Sequence, residues 1–271
     1  MAGRGAERGA GKPKMPGWLW LIALLLTLVL ARWQRVSGPT YPLSGRGALA
    51  GSTFHWQLER SHAGPGDHAV KLGPRVPGVT GVLEWRAHAS ADAWTAVTME
   101  QRGDTLAAAL PHQSPGNKLD YRVTLTADDQ STTLPPAGHA TLRFRADVPT
   151  WVLVPHIFVM MAALMLSART GLEAFRRQPD FRLLTIRTLA ALALGGFVLG
   201  CIVSGYAFSM PWGGFPISND PTDNKTLIAF LGWAVAAVPV FRGRGARPFV
   251  IGAALLTLLV FIIPHSVSMP S

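Results

Sequence analysis

The stretch Gly205–Trp233, GYAFSMPWGGFPISNDPTDNKTLIAFLGW, joins two apolar segments through a short connection dense in Trp, Pro, Gly and Asn. Apolar runs on both sides with so compact a link between them read as two membrane-spanning helices and a structured hairpin loop. In this loop Pro221 ends the connection. Asp223 or Asn224 is the predicted N-cap, because a short acceptor side chain satisfies the free N–H groups of a first helical turn and a carboxylate there complements the helix dipole. Capping leaves Asp220 and Lys225 without a role. The expectation is a re-entrant or lid-like loop in which Lys225 pairs with Asp220 or Asp223.

Working outward, the chain of 271 residues is 49% hydrophobic and 15% charged, well below the roughly 25% charged of a soluble domain. Five apolar segments emerge: 18–36, 150–168, 188–210, 226–241 and 249–267. Residues 1–17, Gly- and Ala-rich and basic, carry nothing that builds a core and read as a disordered cytoplasmic tail. The run Trp18–Ala31 spans only about 21 Å and needs its flanks to cross a roughly 30 Å hydrocarbon layer. It fits a retained anchor or an uncleaved signal segment.

Three basic clusters set the orientation. The tail, the loop 169–187 and the loop 242–248 (RGRGARP) each carry a net charge of +3, and two segments separate each from the next. All three therefore fall on one side, which places the amino terminus in the cytoplasm and residues 38–149, loop 211–225 and the carboxyl terminus outside. In a bacterium that side is the periplasm, across the inner membrane. Residues 38–149 hold ten basic and ten acidic residues, so the excess charge lies beside the apolar segments. That distribution argues against nucleic acid as a partner and for the lipid bilayer.

Residues 38–149 change period. Strands are predicted at Ser52–Arg60, Ala69–Leu72, Val82–His88, Trp94–Met99, Thr105–Leu110, Leu119–Thr126 and Ala140–Arg145, the alternation being clearest in LDYRVTL through Leu119, Tyr121, Val123 and Leu125. Short strands at this spacing predict a β-sandwich of the immunoglobulin or fibronectin type III class inserted into a membrane α-helical protein. Trp56 and Trp85 are expected core aromatics, and Arg102-Gly103-Asp104 reads as a tight turn.

Candidate chemistry gathers at the outer ends of the segments. His156, just inside the second segment, and His265, near the end of the fifth, could ligate haem or a pigment through neutral imidazole. Tyr206, Trp212, Asp220, Asp223, Asn224 and Lys225 form a candidate ligand or partner loop. Cys201, the sole cysteine, reads as a small apolar filler and excludes an intrachain disulfide. Gly196 and Gly200 have the spacing that lets helices approach closely. Nucleophile triads, P-loops and HExxH are missing, so no catalytic residue and no metal ligand is assigned.

The segments VPHIFVMMAALMLSARTGLEA (154–174) and YAFSMPWGGFPISNDPTDNKTLIAFLGW (206–233) resemble a family of uncharacterised bacterial inner-membrane proteins with a periplasmic β-sandwich. The resemblance implies the same topology and an outer-leaflet site, and it brings no activity. The family pattern has a Gly-His-Asp-like triplet where this chain has Ser218, Asn219 and Asp220, which replaces a possible ligand histidine by Asn219. The functional expectation is a non-enzymatic accessory or assembly subunit of a respiratory or photosynthetic membrane complex. A haem-, pigment- or quinone-binding redox protein and a small transporter are the alternatives, the last weakened by the lack of an internal repeat.

Overall fold

A computed structural model of the chain describes residues 16–73 and 78–263. The predicted tail 1–17 lies almost entirely, and His265 wholly, outside the described residues. The protein is mixed, with a helical bundle and a set of β-sheets. The helices are α1 (Gly17–Ser37), α2 (Thr150–Glu173), α3 (Arg182–Phe208), α4 (Pro221–Arg242) and α5 (Ala246–Ile262). The first four are long and apolar enough to cross a membrane, and α5, with 17 residues, is a shorter apolar helix.

Helix boundaries differ from the expected ones where charge hides inside a helix. α2 continues past residue 168 to Glu173, because Arg169 and Glu173 form an i,i+4 ion pair of 2.8 Å along one helix face. α3 begins at Arg182 and α4 at Pro221, each several residues before its apolar run.

Among the described residues eleven strands lie between α1 and α2: β1 (Leu43–Leu49), β2 (Ser52–Leu58), β3 (Ser61–Ala63), β4 (His68–Leu72), β5 (Thr80–Ala87), β6 (Thr95–Thr98), β7 (Glu100–Arg102), β8 (Thr105–Leu110), β9 (Lys118–Ala127), β10 (Gln130–Leu134) and β11 (Ala140–Arg145). One sheet runs β3-β11-β9-β5-β6, a second runs β4-β8-β7, and β1 and β2 form a hairpin. The ten-residue β9 organises the larger sheet. One edge pairs with β5, and the other is shared between β11 at its start and β10 at its end.

The predicted alternation holds on β9, where Leu119, Tyr121, Val123 and Leu125 are all buried and meet Leu83, Leu110, Leu142 and Phe144 in one core. Tyr121 Oη donates to Glu59 O at 2.6 Å, which satisfies the one polar atom that this ring carries inward. Trp56 is buried in this core, and Trp85 packs half-buried at its edge. Arg102-Gly103-Asp104 is the turn between β7 and β8, with Gly103 at φ 61°. The four strands absent from the prediction include β1, whose Gly45 and Gly47 read as loop. Here they make room for aromatic rings: a Cβ on Gly45 would sit 2.7 Å from Trp56, and one on Gly47 2.6 Å from Phe54.

The β-domain rests on one end of the bundle. Ala146 N–H, just past β11, donates to Ala207 O of α3 at 3.0 Å. The Arg143 guanidinium stacks 4.2 Å over the Phe208 ring. These contacts bring β11 to the end of the bundle where the candidate residues gather.

Candidate functional site

The first turn of α4 builds the loop before it. Asp220, not Asp223 or Asn224, is the N-cap: its Oδ1 accepts from Thr222 N–H at 2.7 Å and Asp223 N–H at 3.3 Å, with Pro221 at the first helical position. Proline fits there because its missing N–H would be unpaired in any case. The capping shift frees Asp223 and Asn224 for the loop. Asp223 Oδ2 accepts from Gly213 N–H at 2.7 Å, and Asn224 Oδ1 from Phe215 N–H at 2.7 Å. The Trp212 ring lies against Phe197 at 5.4 Å and its Nε1–H donates to Phe215 O. The loop is thus folded back over the helix whose side chains hold it.

Lys225 does not pair with either aspartate. It is 3% exposed, and its Nζ donates to Ile263 O at 2.8 Å, at the carboxyl end of α5. The last carbonyls of a helix have no partners within it. Trp33 Nε1–H serves Ile262 O at 2.9 Å and Gln34 Nε2–H serves Phe261 O. Two side chains from α1 and one cation from α4 therefore close the end of α5, where a positive charge also meets the negative end of the helix dipole.

His156 follows Pro155 inside α2 and faces α3 where that helix widens into a π-helical turn, Ala193–Leu199. His156 Nδ1 lies 3.0 Å from Gly195 O. A carbonyl accepts only, so Nδ1 carries the hydrogen and Nε2 of the neutral ring is left as an acceptor. Both glycines lie at close approaches between helices: a Cβ on Gly196 would collide with Thr226 Cγ2 of α4, and one on Gly200 would lie 3.6 Å from His156 Cε1 of α2.

His156, Asp220 and Asp223 line one cavity of about 440 Å³, and Tyr206, Trp212, Asn224 and Lys225 do not. Gln34 and Arg35 enter it from α1 and Arg143 from β11, three residues that sequence reasoning missed. Arg143 had a faint signal. In ATLRFRA the inward residues are Leu142 and Phe144, so Arg143 points out of the core just before the chain enters α2. Burial pulls the Arg143 guanidinium below its ordinary pKa, and the charge of Asp220 acts against that fall. The deeper walls are apolar, among them Met160, Leu164 and Phe261.

Three further polar clusters escaped the sequence. At the opposite end of α2, Glu173 accepts from Arg176 at 2.6 Å and from Asp180 N–H at 3.2 Å in addition to its pair with Arg169, and Arg169 and Glu173 are both 0% exposed. Nearby, the buried Trp233 Nε1–H is shared between Ser167 Oγ and Thr257 Oγ1. In the β-domain the buried Asp120 accepts from Thr141 Oγ1 and sits 2.8 Å from His88 Nδ1 and 3.3 Å from His139 Nε2. Among the described residues no group of three His, Cys, Asp or Glu side chains is arranged to hold a metal ion. The chain matches no protein-family model and no curated protein.

Proposed function

We propose that this chain is a non-enzymatic accessory subunit of a bacterial inner-membrane complex, and that it holds an amphipathic molecule in the cavity beneath its β-domain. In this reading all five helices cross the bilayer, with the amino terminus cytoplasmic and the β-domain periplasmic. Large apolar side chains on the outer faces of the bundle, such as Val29 at 69% and Phe158 at 71% exposed, support a lipid surround. At 1.5 Å per residue α5 is about 25 Å long, and its clamped carboxyl end lies level with the ends of α1 and α4. The β-domain reads as an immunoglobulin-like sandwich that contacts partner proteins. Its two sheets, β4-β8-β7 and β3-β11-β9-β5-β6, follow the division of such domains into a B-E-D side and a G-F-C side. The membership suggested by the resemblance is part of the same proposal.

The observation that carries the reading is the cavity itself. It combines fixed charged groups near the β-domain with apolar walls toward the bundle interior, the usual make-up of a small-molecule site. A second reading, a haem-, pigment- or quinone-binding protein, is favoured by the free acceptor at His156 Nε2. Gentle extraction from the native membrane, with a visible spectrum and mass spectrometry of all co-eluting lipids and proteins, tests both. The proposal expects a colourless protein with a stoichiometric amphipath and membrane-protein partners. Stoichiometric pigment bands lost in His156→Ala would replace it by the cofactor reading.

A further inference from the structure

Two histidines of the β-domain meet across a corner between its sheets. β3 belongs to the larger sheet and β4 to the smaller. The link between them, residues 64–67, carries the chain from one to the other, with Gly64 at φ 96°. His62 of β3 and His68 of β4 face each other over this link, their Nδ1 atoms 3.2 Å apart. His62 Nε2 lies 2.8 Å from Gly66 O. A carbonyl only accepts, so Nε2 carries the hydrogen, and the lone pair of the neutral ring is on Nδ1, toward His68. In a histidine that binds a metal, the nitrogen away from the metal commonly donates to a backbone carbonyl in this way. His68 is buried, and burial holds it below its ordinary pKa. Its ring is therefore neutral at neutral pH and also able to ligate.

We infer that His62 and His68 bind one zinc ion through their Nδ1 atoms and so tie the two sheets of the β-domain together. Two nitrogens on a tetrahedral zinc, each at about 2.0–2.1 Å, stand about 3.3–3.4 Å apart, close to the 3.2 Å of this pair. The ring centroids are 5.0 Å apart. Two rings pointing head-on across that N–N distance would stand farther apart, so the nitrogens are bent off the line between them, as two ligands of one ion must be. Without metal the pair is a single Nδ1–H···Nδ1 hydrogen bond. The ion replaces it: the hydrogen on His68 moves to Nε2, which leaves a lone pair at Nδ1 and releases no net proton. Among the described residues no third His, Cys, Asp or Glu forms a ligand group with them. Water completes the tetrahedron, and the affinity is micromolar, below that of a closed structural site. Glu59, whose charge acts on His68, adds negative potential. Pro65, Gly66 and Asp67 are exposed and give the ion an entry path. The sole cysteine lies in α3, so no disulfide can cross-link the sheets, and the ion supplies that link. The site is separate from the cavity and does not depend on its occupant.

The test strips the full-length, tag-free protein with EDTA in detergent micelles and returns zinc chloride by equilibrium dialysis. One zinc per chain is expected at micromolar free zinc. NMR of the histidine ring nitrogens should show the Nδ1 signals of His62 and His68 shift together as zinc is added, a readout that needs no variant. His62→Gln, at a half-buried position, should weaken binding at least about a hundredfold, beyond the loss of a metal's outer hydrogen-bond partner. His112→Gln, whose ring packs nearby on Phe144, should leave binding unchanged. The unfolding temperature, followed by tryptophan fluorescence, should rise with the logarithm of zinc concentration in the wild type and not in His62→Gln. Zinc bound with both Nδ1 signals unmoved is adventitious and overturns the inference. Equal retention in His62→Gln, or as great a loss in His112→Gln, overturns it too. So does a wild-type chain that takes up no zinc at micromolar concentration.

Discussion

Lys225→Met isolates the closure of α5. Methionine keeps an unbranched apolar stem, one atom shorter, and removes the donor and the charge. The wild-type ammonium, 3% exposed, makes a 2.8 Å bond to Ile263 O, and a hydrogen bond to a charged group contributes about 1.5–3 kcal/mol. Its attraction to the helix carboxyl end, up to about 2 kcal/mol in a partly buried setting, is largely the same interaction and is not added. Against this, the variant no longer buries an ammonium, whose desolvation offsets much of the gain. Ile263, 47% exposed, leaves its carbonyl within reach of water once the lysine is gone. The net loss expected is about 1–2 kcal/mol, concentrated at the end of α5. Hydrogen exchange of residues 258–263 in detergent micelles, with thermal unfolding of the same sample, reads both parts. Faster exchange there in Lys225→Met, with none in Asp220→Asn, is the expected pattern. Unchanged exchange at the end of α5, or the same change in both variants, would mean that Lys225 acts through the aspartates and that the clamp is not its role.

Asp220→Ala should cost about 1 kcal/mol as a lost N-cap while Asp220→Asn stays within a few tenths, measured by thermal unfolding; equal losses would remove Asp220 from the capping role. Glu173→Gln should destabilise the bundle by about 3–5 kcal/mol by leaving Arg169 buried without its charge partner, and Arg169→Met with Glu173→Leu should recover most of that; a neutral Glu173→Gln in denaturant titration contradicts the buried pair. His68, whose pKa is pushed below its ordinary 6.5 by burial and then by His62 with Glu59 opposing, stays neutral in the folded β-domain while the unfolded chain takes up a proton near that value. Its stabilising contribution is therefore complete above about pH 6.5 and is lost as pH falls through the lower folded value. Tryptophan fluorescence unfolding across pH 5–7.5 should show a drop on the acid side that His68→Phe flattens.

Period-2 alternation in LDYRVTL was legible because each inward residue of β9 is large and apolar, so sequence and burial carry the same signal. The hairpin strand β1 was not. Its Gly45 and Gly47 score as turn residues, and their purpose, seating Trp56 and Phe54, exists only once the register with β2 is known. β10 was hidden similarly, since Asp128 and Asp129 both take positive φ to make a turn that an Asp-Asp pair signals weakly. The capping residue was displaced by three positions because Asp220 and Asp223 each satisfy the preference for an acceptor, and Pro221 at the first helical position decides between them. Arg169 and Glu173 read as the beginning of a solvated loop because charge in a basic stretch ordinarily is one. Nothing local shows that the helix continues and turns the pair inward.

The cavity was legible only in part, and the reason bears on what it does. His156, Asp220 and Asp223 stood out one at a time, but Gln34, Arg35 and Arg143 reach it from a helix and a strand far apart in the chain, joined by no shared pattern. Gly200 sits on its wall, where a larger residue would drive a Cβ toward Gly195 O at 3.1 Å and His156 Cε1 at 3.6 Å, so the π turn that holds His156 in place also keeps the wall thin. The cavity is open on one side, at the exposed Ile157, and in the proposed reading an amphipathic occupant enters there and belongs to the folded state. Removing it should lower the unfolding temperature, and adding it back should restore that temperature in proportion to the logarithm of its concentration.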